Sequence, residues 1–374
     1  MTAGGESRYA RHLVLPEVGP EGQLALQEAS VLVIGAGGLG SPALLYLAAA
    51  GIGRIGLIDD DTVDVTNLQR QILHSTSEVG ESKAASAERR ISDLNPEVTV
   101  EAIEGRLDAT NALEIIGRYD IIIDGTDNFE TRYLIGDACE ILGKPWVFGS
   151  IHRFEGQVAT FNLEGGPNYR DLFPEPPEEG LAPNCAEAGV LGVLPGIVGS
   201  IQATEAIKAI LGIGDSLNGK LLVIDALSMG FRTLGFSKDE SREVVTELKQ
   251  ESVQSCSSDA GSPSGVMLVI SPVEFVQRRD SGWDVFLLDV RRSEEEAIAT
   301  LSGTDLRIEH NQIPMRMSEI PLDTDIVVYC RSGSRSAAVA RYLVSSGLAK
   351  GDVYNLRGGI HEWSDTVNPN IIKY

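Results

Sequence analysis

Cysteine is scarce in this chain. Four occur in 374 residues, at positions 139, 185, 256 and 330, with no regular spacing. That pattern excludes a disulfide framework and is expected of a protein of the reducing cytoplasm. Basic residues are also in deficit: 31 Lys and Arg stand against 54 Asp and Glu, a net charge of −23. Nucleic acids and anionic membranes need a broad positive footprint, so neither is expected as a partner, and the acidity is read as solubility. No run of about eighteen apolar residues is present to span a bilayer. The start, Met1-Thr-Ala-Gly-Gly-Glu-Ser-Arg8, shows no basic segment leading into an apolar one, so no secretory signal is read.

What is present is ample core material, with 43% hydrophobic residues, in a chain long enough for two or three domains. Val31–Ile34 reads as a buried strand, Ser41–Ala50 as a helix, Arg54–Ile58 as a strand, Ser82–Leu94 as a helix and Asp120–Asp124 as a strand. This alternation predicts a doubly wound α/β sheet. Residues 164–189 are rich in Gly, Pro, Asn and Glu and read as an exposed loop, followed by a helix over Pro195–Leu211. The composition of 249–264 is that of a linker, and Cys256 within it is assigned no role. A second α/β pattern follows: helix 271–279, strands 285–289 and 325–329, helix 334–346 and strand 352–355. The domains are therefore placed at 1–248 and 265–374.

Two motifs carry chemistry. Gly35-Ala-Gly37-Gly38-Leu-Gly40 follows a strand and opens a helix, and Asp59 ends the next strand. Such glycines let the backbone approach a phosphate, and the acidic residue is placed for ribose hydroxyls. NAD, FAD and ATP sites share this arrangement. Arg70, Lys83 and Asp127 turn the reading toward ATP, because joining a carboxylate to an α-phosphate brings like charges together. At about 4 Å the repulsion is roughly 4 kcal/mol at an effective dielectric near 20. Arg70 and Lys83 would offset it, and Asp127 would hold magnesium on the phosphates.

The second motif is Cys330-Arg-Ser-Gly-Ser-Arg335-Ser336, between an apolar strand and a helix. Backbone N–H groups at such a turn converge on one point and suit an anionic sulfur. A cysteine-based phosphatase places its arginine six residues after the cysteine. Here the arginine is the fifth and Ser336 the sixth, and the shorter cradle favours sulfur. Lowering a thiol's pKa by two units raises its thiolate fraction roughly twenty-fold but lowers its nucleophilicity about ten-fold. The loop is therefore expected mainly to hold a persulfide anion, with Arg331 and Arg335 as cationic support.

Arg8-Tyr-Ala-Arg11-His, the glycine run, Asn67-Leu-Gln-Arg70-Gln71 and Gly125-Thr-Asp127-Asn128, in this order, resemble the ubiquitin-activating-enzyme-like MoeB/ThiF adenylyltransferases over about residues 7–245. Leu287-Leu-Asp289-Val-Arg291, the Cys330 loop and Asn355-Leu-Arg-Gly-Gly-Ile-His-Glu-Trp363 resemble single rhodanese domains. The implied fold is a Rossmann-like doubly wound domain with a mixed sheet, followed by a smaller α/β rhodanese domain.

The implied activity is Mg-ATP-dependent adenylation of the C-terminal glycine of a ubiquitin-like sulfur carrier of MoaD/ThiS type. Sulfur then passes from a Cys330 persulfide to leave a thiocarboxylate. The sulfur donor is expected to be a cysteine desulfurase or thiosulfate. The pathway is expected to be molybdenum-cofactor synthesis, with thiamine, cysteine or tRNA thiolation as alternatives. On the resemblance, Gly35, Gly37, Gly38, Gly40, Asp59, Asn67, Arg70, Lys83, Asp127 and Asn128 bind nucleotide or magnesium. Arg11 reaches the ATP of the other subunit in a homodimer, and Cys185 bonds covalently to the carrier during release.

Relatives often carry two Cys-x-x-Cys pairs for a structural zinc. The first pair is replaced here by Asn168 and Asp171, and no cysteine stands where the second belongs, directly after Phe231-Arg-Thr-Leu. No structural zinc is expected. Two other functional classes compete: a nicotinamide oxidoreductase fused to a rhodanese, which has no use for Arg70, Lys83 and Asp127 together, and a docking protein with an inactive rhodanese, against which the intact Cys330 speaks.

Overall fold

Ser30–Ile34 (β1) is apolar along its length and buried on both faces, as a central parallel strand must be. The computed structural model, which describes residues 8–176, 189–248 and 267–374, places β1 third from one edge of the sheet, between Arg54–Asp59 (β2) and Ile121–Asp124 (β4). With Thr99–Glu104 (β3), Trp146–His152 (β5), Glu155–Phe161 (β6), Lys220–Asp225 (β7) and Gly230–Gly235 (β8), the order is β3-β2-β1-β4-β5-β6-β7-β8. Pairing is parallel from β3 to β5 and antiparallel from β5 to β8, so the sheet is mixed.

Alternate residues of β1 feed two cores. Val31 and Val33 pack with helices Gly40–Ala50, Lys83–Leu94 and Val193–Leu211, while Leu32 and Ile34 pack with Ala112–Gly117 and Phe129–Leu142. The helix expected from Pro195 begins at Val193, because proline in the first turn removes no intrahelical bond.

The stretch 164–189 is not simply an exposed loop. Tyr169–Leu172 forms a helical turn, and Tyr169 is buried against Tyr133, Trp146, Phe148, Phe161 and Phe173. Burial of one large aromatic overrides the loop-forming composition around it. Residues 177–188, with Cys185, lie outside the described residues, as does all of the expected linker, 249–264, with Cys256.

Asn168 and Asp171 cap this turn: the Asn168 N–H donates to Asp171 Oδ2 at 2.7 Å. Asp171 Oδ1 accepts from Arg242 Nε at 2.9 Å, and the Arg242 guanidinium forks onto Glu140 at 2.6 and 3.2 Å. These groups bind one another where relatives place thiolates. Arg242→Ala leaves two carboxylates without their cation in a mostly buried setting. It is expected to cost about 3 kcal/mol, read as a lower urea midpoint for this unit.

The second unit contains Leu268–Ile270 (β9), Val285–Asp289 (β10), Leu306–Arg307 (β11), Asp325–Tyr329 (β12) and Val353–Leu356 (β13), ordered β11-β10-β12-β13-β9 and all parallel. Helices Pro272–Asp280, Ser334–Ser345 and Gly359–Thr366 cover it. Among the described residues no helix is long and apolar enough to cross a membrane.

Candidate active sites

β1 ends in the glycine run, and its geometry shows why glycine is needed there. A Cβ on Gly40 would lie 1.9 Å from the Gly35 carbonyl oxygen, so the helix start packs directly on the turn. Ala36 is fixed at both ends. Its N–H donates to Asp59 Oδ2 at 2.8 Å, and its carbonyl lies 3.0 Å from His74 Nε2. A carbonyl only accepts, so Nε2 carries the proton, and Nδ1 accepts from the Ser86 hydroxyl at 2.8 Å. His74 thus joins the glycine turn to the helix that begins with Lys83. Burial holds His74 below the usual histidine range. Burial also pushes the Asp59 carboxyl up, against the pull of Lys83 and of the Asp61 and Ala36 N–H groups.

A cavity of about 410 Å³ opens above this turn. Its walls include Gly35, Gly37, Gly38, Asp59, Arg70, Lys83, Asp127 and Asn128. Lys83 is buried, with Nζ 2.8 Å from Asp61 Oδ2, and Arg70 donates to the Thr66 carbonyl at 3.1 Å. Asp127 is exposed to the cavity, and among the described residues no group bonds its carboxylate. Asn128 caps the next helix by accepting from Thr131 N–H at 2.9 Å.

Three expected residues do not line the cavity. Gly40 acts through packing. Asn67 holds the turn, its carbonyl accepting from the Arg70 and Gln71 N–H groups at 3.0 and 2.9 Å. Arg11 sits exposed on the short helix Ala10–Leu13, away from the cavity of its own chain. Sequence reasoning missed His74 and the wall residue Gln71 as site residues; Gln71 is buried with an orphaned Oε1. Gln71 ends the Asn67–Gln71 run, which pointed to it, whereas His74 stands at no spacing that marks it.

The sulfur site lies at the C-terminal end of β12. Cys330 is fully buried. Its Sγ accepts from Gly333 N–H at 3.1 Å and from Ser336 Oγ at 3.3 Å. The closing segment holds the loop from behind: Ile360 and His361 N–H donate to the Cys330 and Arg331 carbonyls, each at 3.0 Å. A Cβ on Gly359, at φ +53°, would lie 2.2 Å from the Cys330 carbonyl oxygen.

Arg335, expected as cationic support for the thiol, is paired with a carboxylate. Its guanidinium forks onto Glu295 at 2.6 and 2.7 Å. It therefore anchors the loop, and the contacts to sulfur come from Gly333 and Ser336. Ser336 is the residue missed here; only its offset from the cysteine could have pointed to it. Cys139 is fully buried, and burial pushes its thiol up.

Burial pushes Glu295 up, but Arg335 and the Arg292 N–H outweigh it and hold the carboxyl at about 2. A depressed carboxyl stabilises the fold above its unfolded value, about 4.5, and the contribution disappears as the pH falls through the folded value. Acid unfolding of this unit, followed by the fluorescence of Trp283 and Trp363, is expected to steepen below about pH 4.5. Glu295→Gln should remove that steepening.

Residues 9–244 match the model of the ThiF family, and residues 271–366 match that of the Rhodanese-like domain. The chain belongs to the ThiF family. It carries a rhodanese-like domain after its ThiF region, and the family implies use of ATP. It is 45% identical to the probable adenylyltransferase/sulfurtransferase MoeZ of Mycobacterium tuberculosis, over 98% of this chain and 95% of that one. The adenylyltransferase and sulfurtransferase MOCS3 of Anopheles gambiae is 38% identical over 98% and 88%. The sulfur carrier protein adenylyltransferase of Thermus thermophilus is 57% identical over 61% of this chain and 86% of its own. Among solved structures, E. coli MccB with ATP overlays this ThiF protein with a TM-score of 0.56 at 21% identity, over 65% of this chain and 75% of the other. That likeness is one of fold.

ATP fits the cavity that the ThiF region presents. A Cβ on Gly37 would meet only Gln71 Nε2, at 3.6 Å, so the absent side chain leaves that face of the turn open toward the cavity. Lys83 and Arg70 bring two cationic side chains to the same cavity.

Proposed function

We propose that this ThiF-family protein is a bifunctional adenylyltransferase and sulfurtransferase that converts the C-terminal carboxylate of a ubiquitin-like sulfur carrier into a thiocarboxylate. The observation that carries the reading is one cavity lined by an open glycine turn, two cations and an unpartnered carboxylate, in the same chain as a thiol cradled by Gly333 and Ser336. Its full-length relatives are named for both activities. The adenylation region is assigned to residues 1–248, the connector to 249–264 and the sulfurtransferase region to 265–374.

The carrier's terminal glycine carboxylate attacks the α-phosphorus of ATP and pyrophosphate leaves, giving an acyl-adenylate. Lys83 and Arg70 offset the negative charge that gathers there. Asp127 fits a magnesium site, since it offers the cavity a carboxylate that no group among the described residues bonds. Magnesium bound there supplies charge neutralisation on the phosphates. The terminal sulfur of a Cys330 persulfide, loaded by a cysteine desulfurase or thiosulfate, then attacks the acyl carbon and expels AMP. A thiolate then attacks the Cys330 sulfur of the acyl disulfide, the thiocarboxylate departs, and an external thiol reductant reopens the disulfide left on Cys330. Cys185 is assigned to this reductive release.

The pathway is assigned to molybdopterin synthesis, in keeping with a relative named probable molybdopterin-synthase adenylyltransferase in Porphyra purpurea. Thiamine, cysteine and tRNA thiolation use the same chemistry. A homodimer is assigned in which Arg11 serves the partner's nucleotide. Its exposed position supports this, as does the nearby groove lined by His12, Tyr46, Ala49, Ala203 and Ile207. The protein is assigned to the cytoplasm and is expected to contain no stoichiometric zinc by elemental analysis.

Mixing the protein with candidate carriers, ATP and thiosulfate, then weighing each carrier, tests the reading. One carrier should gain a sulfur in place of an oxygen. If no carrier ever forms an acyl-adenylate or a thiocarboxylate, the reading is wrong.

A further inference from the structure

Asp124 and Arg132 form an ion pair beneath the nucleotide cavity, with side-chain exposures of 0% and 4%. The pair is poorly made. Arg132 Nε lies 3.4 Å from Asp124 Oδ2, and both atoms lack a hydrogen-bond partner. A buried pair with incomplete hydrogen bonding is an expensive way to stabilise a fold, and apolar residues of like volume often serve as well. Its other contacts show what it accomplishes.

Those contacts converge on Thr126. Asp124 Oδ1 accepts from the Thr126 N–H at 2.8 Å and from its hydroxyl at 2.6 Å. Arg132 Nη2 donates to the Thr126 carbonyl at 3.0 Å. The pair is itself held in place. Gln202 Nε2 donates to the Asp124 carbonyl at 2.7 Å, and the Arg132 guanidinium lies 5.6 and 5.5 Å from the ring centres of Phe129 and Phe148. On one side of Thr126, Gly125 N–H donates to the Ile34 carbonyl at 2.7 Å. On the other, Asn128 is fixed as a helix cap. Asp127 is therefore flanked by two anchored residues while its own carboxylate has no partner among the described residues.

We propose that the buried Asp124–Arg132 pair is the positioning device of the divalent-metal subsite: it clamps Thr126 so that Asp127 is held ready for the cation that accompanies ATP. This rests on the reading of Asp127 as the metal-facing carboxylate. Removing the support behind a metal-facing group costs about 10–100-fold in metal affinity, so the effect belongs in the metal dependence and not in nucleotide affinity as such.

The test is ATP binding to the full chain by calorimetry, with magnesium titrated from EDTA upward. Arg132→Lys keeps the charge but loses the bond to the Thr126 carbonyl. It should bind ATP in EDTA as the unaltered protein does, while the magnesium needed for half of the affinity gain rises at least about ten-fold. Asp124→Asn should shift the profile in the same direction. Arg242→Lys, which alters an ion pair away from the cavity, should lower the melting temperature and leave the profile alone. Asp127→Asn separates the two ideas: if it keeps the full magnesium effect, the reading of Asp127 is wrong. If Asp127→Asn loses the effect but Arg132→Lys and Asp124→Asn behave as the unaltered protein does, the proposal alone falls. Failure of both clamp variants to fold would also overturn it, because the pair would then be architectural.

Discussion

Cys330→Ala is expected to lower sulfur transfer to the carrier by at least about 10³-fold. ATP–pyrophosphate exchange should stay within about two-fold, because exchange reports a step that ends before sulfur is involved. Two donors hold the thiol, Gly333 N–H and the Ser336 hydroxyl, and alanine leaves no atom to carry the persulfide. Ser336→Ala keeps the nucleophile and removes one donor to the anion. A hydrogen bond to a charged group contributes about 1.5–3 kcal/mol, so a loss of ten-fold or more in transfer is expected, with the carrier adenylate formed at its usual rate. The pair of variants is read by two assays on one preparation: thiocyanate release from thiosulfate and cyanide, and isotope exchange into ATP. Transfer that survives Cys330→Ala would mean the sulfur travels on another thiol. Exchange that disappears with it would mean that the two chemistries depend on each other.

Lys83→Ala and Asp127→Ala are each expected to reduce carrier-dependent pyrophosphate exchange by about 10²–10³-fold. Lys83 is buried at the cavity wall and its ammonium is directed by Asp61. A preorganised cation of this kind acts on charge as it develops, without reorganising. Asp127 works from the opposite wall through the cation it is assigned. The two losses should differ in kind. Lys83→Ala should resist added magnesium, whereas Asp127→Ala should flatten the magnesium dependence. ATP should bind the unaltered protein and NAD should not, which separates this reading from a nicotinamide oxidoreductase. Exchange retained in both variants would remove the basis for the nucleotide site.

Several features were legible from local pattern. The apolar run of β1, the glycine spacing after it and the strand before Cys330 each depend on neighbours within a few residues, so periodicity and turn chemistry reveal them. The antiparallel strands β6, β7 and β8 were not legible. β8 is largely exposed along its length, so no hydrophobic alternation marks it, and its pairing with β7 is a tertiary fact. The buried turn at Tyr169 was missed for the converse reason: its flanking residues favour loops, and only distant aromatic rings make burial favourable there.

The role of Arg335 shows the same divide within one loop. Its position after Cys330 suggested a charge for sulfur. Its partner, Glu295, lies forty residues earlier in the chain, and no spacing rule connects the two.

From the residues alone came the chemical vocabulary of this protein: a glycine turn for phosphate, cations and a carboxylate beyond it, and a cysteine in a short cradle. Which groups line the cavity or touch the thiol and which pack behind them shows only in the folded chain. His74 and Arg335 owe their places to partners 38 and 40 residues away in the sequence. The physical reason is range. Backbone preference and hydrophobic period act over a few residues, whereas a buried hydrogen bond or ion pair takes its geometry from whichever distant segment packing brings beside it.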